Sequence, residues 1–410
     1  MELLSLFCKS CEFLFYIGIF WFIRRVLFEG GTGGTCLLIP LEIARLKDER
    51  VARGRSIARS SRPVDGAHDL IHDIGMAEIV LGIGTSHGPM LSTPWQDWGQ
   101  RVGFDRQTTH DFRGRKYGFD ELVELRRGEN FAAEITPEKW QARAAACRAA
   151  IEALAAKYEA VAPDVAVIVG NDQRELFTEE NFPAFAIYWG ETIENRPRTA
   201  EQVANLPPGV AIAERGHAPP EDAAYPGLPA LGRHLIERLS QAGFDIAASR
   251  RLPAGAGYCN GIPHAYGFVY RQIMKDRVIP NVPVVLNTFY PPNQPRAARC
   301  YAFGRALKAA IESWESDARV AVFGSGGLSH FAIDEEIDRT VLEALRTRDM
   351  EKLIAIPEDR YQSGTSEIKN WIPLAAIMAE CGLPMTLVDY VPCYRSEAGT
   401  GNAMGFAWWG

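Results

Sequence analysis

Over residues 76–410, short apolar runs alternate with longer stretches in which apolar positions recur every three to four residues. The runs at 78–83, 165–169, 185–189, 282–287, 320–323 and 385–390 predict strands. Most are near-continuously apolar, so burial on both faces is expected. The clearest helix covers 137–161, with Thr136 as N-cap, Pro137 in the first turn, and Ala144, Cys147, Ile151, Leu154, Tyr158 and Val161 along one stripe. Further helices are predicted over 228–242, which ends at Gly243 and carries Leu231, Leu235 and Leu239, and over 295–314 and 334–345. The alternation predicts an α/β fold, a single layered domain with a mostly buried central sheet flanked by helices. Residues 92–135 are rich in Trp, Arg, Asp and Gly without a lasting period, as expected of a lid or a subunit contact.

Residues 1–75 follow a different pattern. The apolar run 13–23 is closed by Arg24 and Arg25, with Glu2, Lys9 and Glu12 before it. It falls short of the ~20 residues that span a bilayer, and its charges lie on the wrong side for a signal peptide. After Ile39 the segment is Arg-rich and patternless until Met76, where a strand-like text begins. The expectation is a dispensable extension, or a misassigned start, over 1–75 and a catalytic domain over 76–410, with Met76 as the biological first residue.

Composition adds exclusions. With 47% hydrophobic and 23% charged residues the chain is an ordinary globular one, and a net charge of −7 without a basic block argues against nucleic acid. Eight irregularly spaced cysteines fit neither a disulfide framework nor a zinc knuckle, and suit a reducing cytoplasm. A small-molecule partner is expected, with no membrane.

Candidate chemistry follows the strands, because ligands in open α/β sheets bind beyond the strand C-termini. His87 follows the first strand in GIGTSHGPML, where Gly82 and Gly84 permit a tight turn and an imidazole suits a metal ligand or a general base. A hydrogen-bonded structural histidine is the competing reading. Asn171, Asp172 and Gln173 follow the second strand, where the Asp serves either a ligand or a cap. A Gly-rich loop bears Tyr258, Cys259, Asn260 and His264, the last suited to acid–base work or to an ordinary loop. The segment VFGSGGLSHFAIDEEID carries Ser329 and His330 into a helix whose first turn holds Asp334, Glu335 and Glu336. Such acids answer the helix dipole, and one of them is available to a metal that takes two histidines and a carboxylate. Arg113, Arg115 and Lys116 are candidates to receive a substrate carboxylate, although solvation suffices to explain them.

Taken together, GIGTSHGPML, the Asn-Asp-Gln turn with FPAFAIYWGET, RGHAPPEDAAYPGLPALGRHL, VPVVLNTFYPPNQPRAARCYAFGRAL, VFGSGGLSHFAIDEEID and EIKNWIPLAAIM make the chain resemble the class III extradiol ring-cleavage dioxygenases. The protocatechuate and gallate-type members are the nearest in pattern. The resemblance implies an Fe(II) centre that opens a catechol-type ring (protocatechuate, gallate or methylgallate-like) with O2, in a homo-oligomer. By position it makes His87 the first metal histidine and Glu336 the metal carboxylate, with His217 and His330 contacting substrate. Where the family has Asn-Asp-His this chain has Gln173, a neutral and poorer donor. The family's catalytic histidine position falls on Tyr258 by gap-free matching, while His264 lies six residues further on. His264 is therefore expected either as the missing ligand or, preferably, as the acid–base group. Loss of one ligand leaves open a divergent member that is a zinc-binding hydrolase or a regulatory or binding subunit.

Overall fold

A nine-stranded mixed sheet forms the middle layer of the computed structural model, which describes residues 75–206, 209–252 and 261–410. Its strands are β1 (Glu78–Thr85), β2 (Val165–Asn171), β3 (Phe185–Tyr188), β4 (Ala247–Ser249), β5 (Asn281–Leu286), β6 (Arg319–Ser325), β7 (His330–Ala332), β8 (Met385–Tyr394) and β9 (Thr400–Trp409). They lie in the order β7-β9-β1-β6-β2-β5-β3-β4, with β8 also paired to β9. The run β1-β6-β2-β5 is parallel, while β9 is antiparallel to β1 and β3 is antiparallel to β5.

The near-continuous apolar strands are buried on both faces because helices cover both. Side chains alternate across β2: Val165, Val167 and Val169 face one apolar layer, and Ala166 and Ile168 the other. The first layer holds helices α2 (Pro229–Gln241), α4 (Ala297–Glu312), α5 (Glu335–Thr347) and α6 (Ile368–Cys381). The second holds α1 (Pro137–Val161) and α3 (His264–Phe268), whose last turns widen into a π-helix over Val269–Ile273. At the start of α1 the Thr136 side chain accepts from the Lys139 N–H, and Cys147, Ile151, Leu154 and Tyr158 of the expected stripe are buried.

The expected fold class is the observed one, and each predicted strand and helix is present within a few residues. Three strands of the nine-stranded sheet carry no prediction. β4 and β7 are three residues long, too short to show a period, and β9 reads as a Gly-rich tail although almost all of it is buried. Residues 92–135 form short helical turns and a two-stranded hairpin, His110–Phe112 with Arg115–Tyr117. Among the described residues no helix is long and apolar enough to cross a membrane. The expected extension over 1–75 lies, Gly75 apart, outside the described residues.

Candidate metal centre

The parallel strands deliver three polar segments to one edge of the sheet. β1 runs through Gly84 to His87, β6 ends in Ser325, and β2 ends in Asn171. Gly84 is required by close approach: a Cβ there would lie 2.7–2.9 Å from the Trp371 ring of α6. That contact brings the start of α6, and with it Glu367, under the strand ends.

His87 is buried, and its tautomer is fixed by its neighbours. The Ser325 hydroxyl donates to the Ala265 carbonyl (2.7 Å), so it accepts from His87 Nδ1 (2.9 Å). His87 Nε2 therefore carries its lone pair inward, buried and without a hydrogen-bond partner, 3.1 Å from Glu367 Oε2. The same device recurs twice. His264 Nδ1 donates to Glu175 Oε2 (2.6 Å) and His330 Nδ1 donates to the Leu328 carbonyl (2.7 Å), leaving each Nε2 free to face the interior. His330 Nε2 lies 3.6 Å from Glu367 Oε2, and the His87 and His264 rings meet edge-on at 4.7 Å.

Glu367 is 2% exposed at the N-terminal end of α6, where the helix dipole favours an anion. Its Oε2 accepts the Gly327 N–H (2.9 Å), and its Oε1 accepts the amides of Asn171 and Gln173. Burial alone would raise its pKa, but the imidazoles of His87 and His330 hold it well below the usual carboxylate range. For His87, burial lowers the pKa despite the Glu367 charge, which favours a neutral imidazole. Burial also disfavours charge on His264, yet the charge and hydrogen bond of Glu175 raise it, and Glu175 is itself lowered to about 2 against its own burial.

A buried lone pair facing a buried carboxylate is repulsive unless a cation lies between them. His87, His264 and Glu367 each offer one ligand atom, all within 4.8 Å of one another, and an orphaned Nε2 among them fits a metal ion.

Several sequence expectations are corrected by this geometry. Glu336 is not near the cluster: it is exposed on α5 and pairs with Arg113 and Arg360, while its neighbour Asp334 caps the helix. The carboxylate that faces His87 is Glu367. Gln173 lines the same cavity but turns its amide N–H to Glu367. Asp172 acts as a cap, accepting the N–H groups of Glu175, Leu176 and Phe177, and burial with the neighbouring Glu175 pushes its carboxyl up to about 7. His217 and His330 both line the cavity. Tyr258 lies outside the described residues. Arg113, Arg115 and Lys116 do not line the cavity, and Lys116 pairs with Asp111. Sequence reasoning missed Glu175, Ser325 and Glu367. The available signal for Glu367 was an acid standing directly before a strongly apolar stretch, Ile368–Cys381.

The cavity measures about 400 Å³, and Leu206, Val210, Phe268 and Phe331 give it apolar walls. Residues 133–389 match the family described as the catalytic LigB subunit of aromatic ring-opening dioxygenase. The chain belongs to this family. Gln173, His217, His264, His330 and Glu367 lie inside the matched LigB region, and His87 precedes it.

Among curated relatives, gallate dioxygenase of Pseudomonas putida is 31% identical over 119 residues, 29% of this chain and 33% of that protein. The 2,3-dihydroxyphenylpropionate/2,3-dihydroxicinnamic acid 1,2-dioxygenase of Comamonas testosteroni is 28% identical over 181 residues, 44% of this chain and 47% of that protein. The chain thus spans a third to about half the length of these relatives. A solved structure of an uncharacterized Escherichia coli K12 protein is 16% identical with a TM-score of 0.38, covering 63% of this chain and 91% of that one.

Proposed function

We propose that residues 76–410 are the catalytic domain of a non-haem Fe(II) extradiol dioxygenase, which opens the ring of a catechol-type substrate with O2. The observation that carries this reading is the convergence of His87 Nε2, His264 and a Glu367 oxygen on one point, with the buried His87 nitrogen left unpartnered. Two histidines and one carboxylate are the donor set of non-haem Fe(II) oxygenases, and the family membership points the same way. A bound Fe(II) would supply the redox path between the ring and O2.

The chain's own residues do the rest. Ser325 and Glu175 hold the His87 and His264 rings in orientation from behind, as outer-shell partners of metal ligands do. His330 keeps its proton on Nδ1, so its Nε2 accepts a proton from a substrate hydroxyl and later returns it. His264, first expected in that role, is assigned to the metal because its ligand atom lies within 4.8 Å of those of His87 and Glu367. The apolar walls take the ring face and exclude water. The buried thiols Cys147, Cys300 and Cys393 are free, which suits a reducing cytoplasm.

Anaerobic reconstitution with Fe(II), followed by an oxygen-electrode screen of protocatechuate, gallate, 3-O-methylgallate and catechol, tests the reading. One iron per chain and stoichiometric O2 uptake with at least one diol are expected. Silence across the panel from folded, iron-loaded protein, or tight zinc binding without O2 uptake, would overturn it.

A further inference from the structure

We infer that Arg101 selects substrates that carry a carboxylate on the ring, by receiving that carboxylate inside the cavity. The inference deepens the proposed function and rests on it for the diol ring. Arg101 ends the short 3₁₀ helix Trp95–Arg101 and lines the same cavity as His87, His264 and Glu367. Its Nε is buried without a hydrogen-bond partner, and among the described residues the guanidinium has no ion pair. Asp105, the acid whose charge reaches it, is already taken. Both Asp105 oxygens accept from Arg395, at 2.7 and 2.8 Å, and Oδ2 also accepts from the Thr400 hydroxyl at 2.6 Å. Arg395 itself places a second positive charge nearby, and together with burial this pulls the Arg101 pKa down to about 10, which still leaves a cation at neutral pH.

The other cavity arginine differs in this respect. Arg198 is neutralised by Glu214 and by Glu175 at 3.8 Å. A guanidinium nitrogen buried without an acceptor, as Arg101 Nε is, is costly, and the planar fork of an arginine matches a carboxylate in two parallel hydrogen bonds. Leu206, Val210, Phe268 and Phe331 give the cavity apolar surface that suits a ring. A guanidinium without an acid partner, in a cavity whose other arginine is already paired, is what an anionic ring substituent would satisfy.

The test has a catalytic arm and a binding arm. In iron-loaded protein, Arg101→Gln should lower the ratio of kcat/KM for protocatechuate to that for 4-methylcatechol by about ten- to a hundredfold, mainly through KM. Arg101→Lys should recover part of the ratio. An unchanged ratio, with both substrates losing equally, would overturn the assignment. In metal-free protein, calorimetry should show the unsubstituted chain binding 4-hydroxybenzoate more tightly than 4-methylphenol, and Arg101→Gln erasing that preference. If the unsubstituted chain shows no preference, the inference fails even where no variant folds. If the chain turns over no diol but the calorimetric preference depends on Arg101, the ring-opening reading fails and the carboxylate site stands.

Discussion

At Nδ1 three imidazoles meet three different acceptors: a serine hydroxyl, a carboxylate and a main-chain carbonyl. Each acceptor fixes which nitrogen carries the proton in the neutral ring, so in that form the opposite nitrogens point inward as lone pairs. His87→Ala and Glu367→Gln are expected to abolish stoichiometric iron retention after brief chelation, measured as metal per chain. Glu175→Gln, which touches no metal, should weaken Fe(II) affinity by about ten- to a hundredfold. Gln173→Ala should leave iron retention near that of the unsubstituted chain, and a loss as large as that of His264→Ala would return Gln173 to the ligand set. Residue types at the strand ends were legible in the text of the chain, and His87, His217, His264 and His330 all line the cavity. The carboxylate was not legible. An acid in the first turn of α5 and an acid at the head of α6 look alike on paper, and only the packing of Trp371 against Gly84 decides which one reaches His87.

Strands and helices were easier to read than the groups they carry. Period and apolar runs survive as strands and helices because burial on both faces leaves no room for polar exceptions. The runs that failed to show were short, or depended on glycine. Gly405 of β9 is such a case: a Cβ there would meet Leu328 at 2.8 Å, so glycine marks close packing within the sheet and not a loop. The same logic applies to β1. Gly84→Ala should destabilise the fold by about 1–3 kcal/mol, because the Trp371 ring is held by its N–H to the Gly326 carbonyl (2.8 Å) and has no space to withdraw. A urea midpoint unchanged by the substitution would show that α6 can shift, and with it Glu367.

Across the whole molecule, Asp338 links the loop before β7 to the edge strand β8. It accepts from the Ser329 N–H (2.7 Å), the Ser329 hydroxyl (2.6 Å) and the Tyr390 hydroxyl (2.9 Å). Burial pushes its carboxyl up to about 7. The unfolded side chain ionises near pH 4, so the folded state holds the extra proton between about 4 and 7. Its contribution to stability is therefore complete below about pH 4 and declines as pH rises towards 7, by on the order of 4 kcal/mol. In metal-free protein, Asp338→Asn should flatten this decline, measured as the difference in urea midpoint between pH 5 and pH 7. An identical slope in both proteins would mean that Asp338 is ionised when folded.

The place of β9 in the sheet bears on how the chain is made. Residues 406–409 pair with the second half of β1, and residues 400–402 pair with β7, so one late strand joins the segment that carries His87 to the one that begins with His330. A ribosome releases that strand more than 300 residues after His87, and until then β1 can pair on one side only. Iron cannot bridge all its candidate donors until the chain has reached Glu367, 280 residues after His87 (367 − 87).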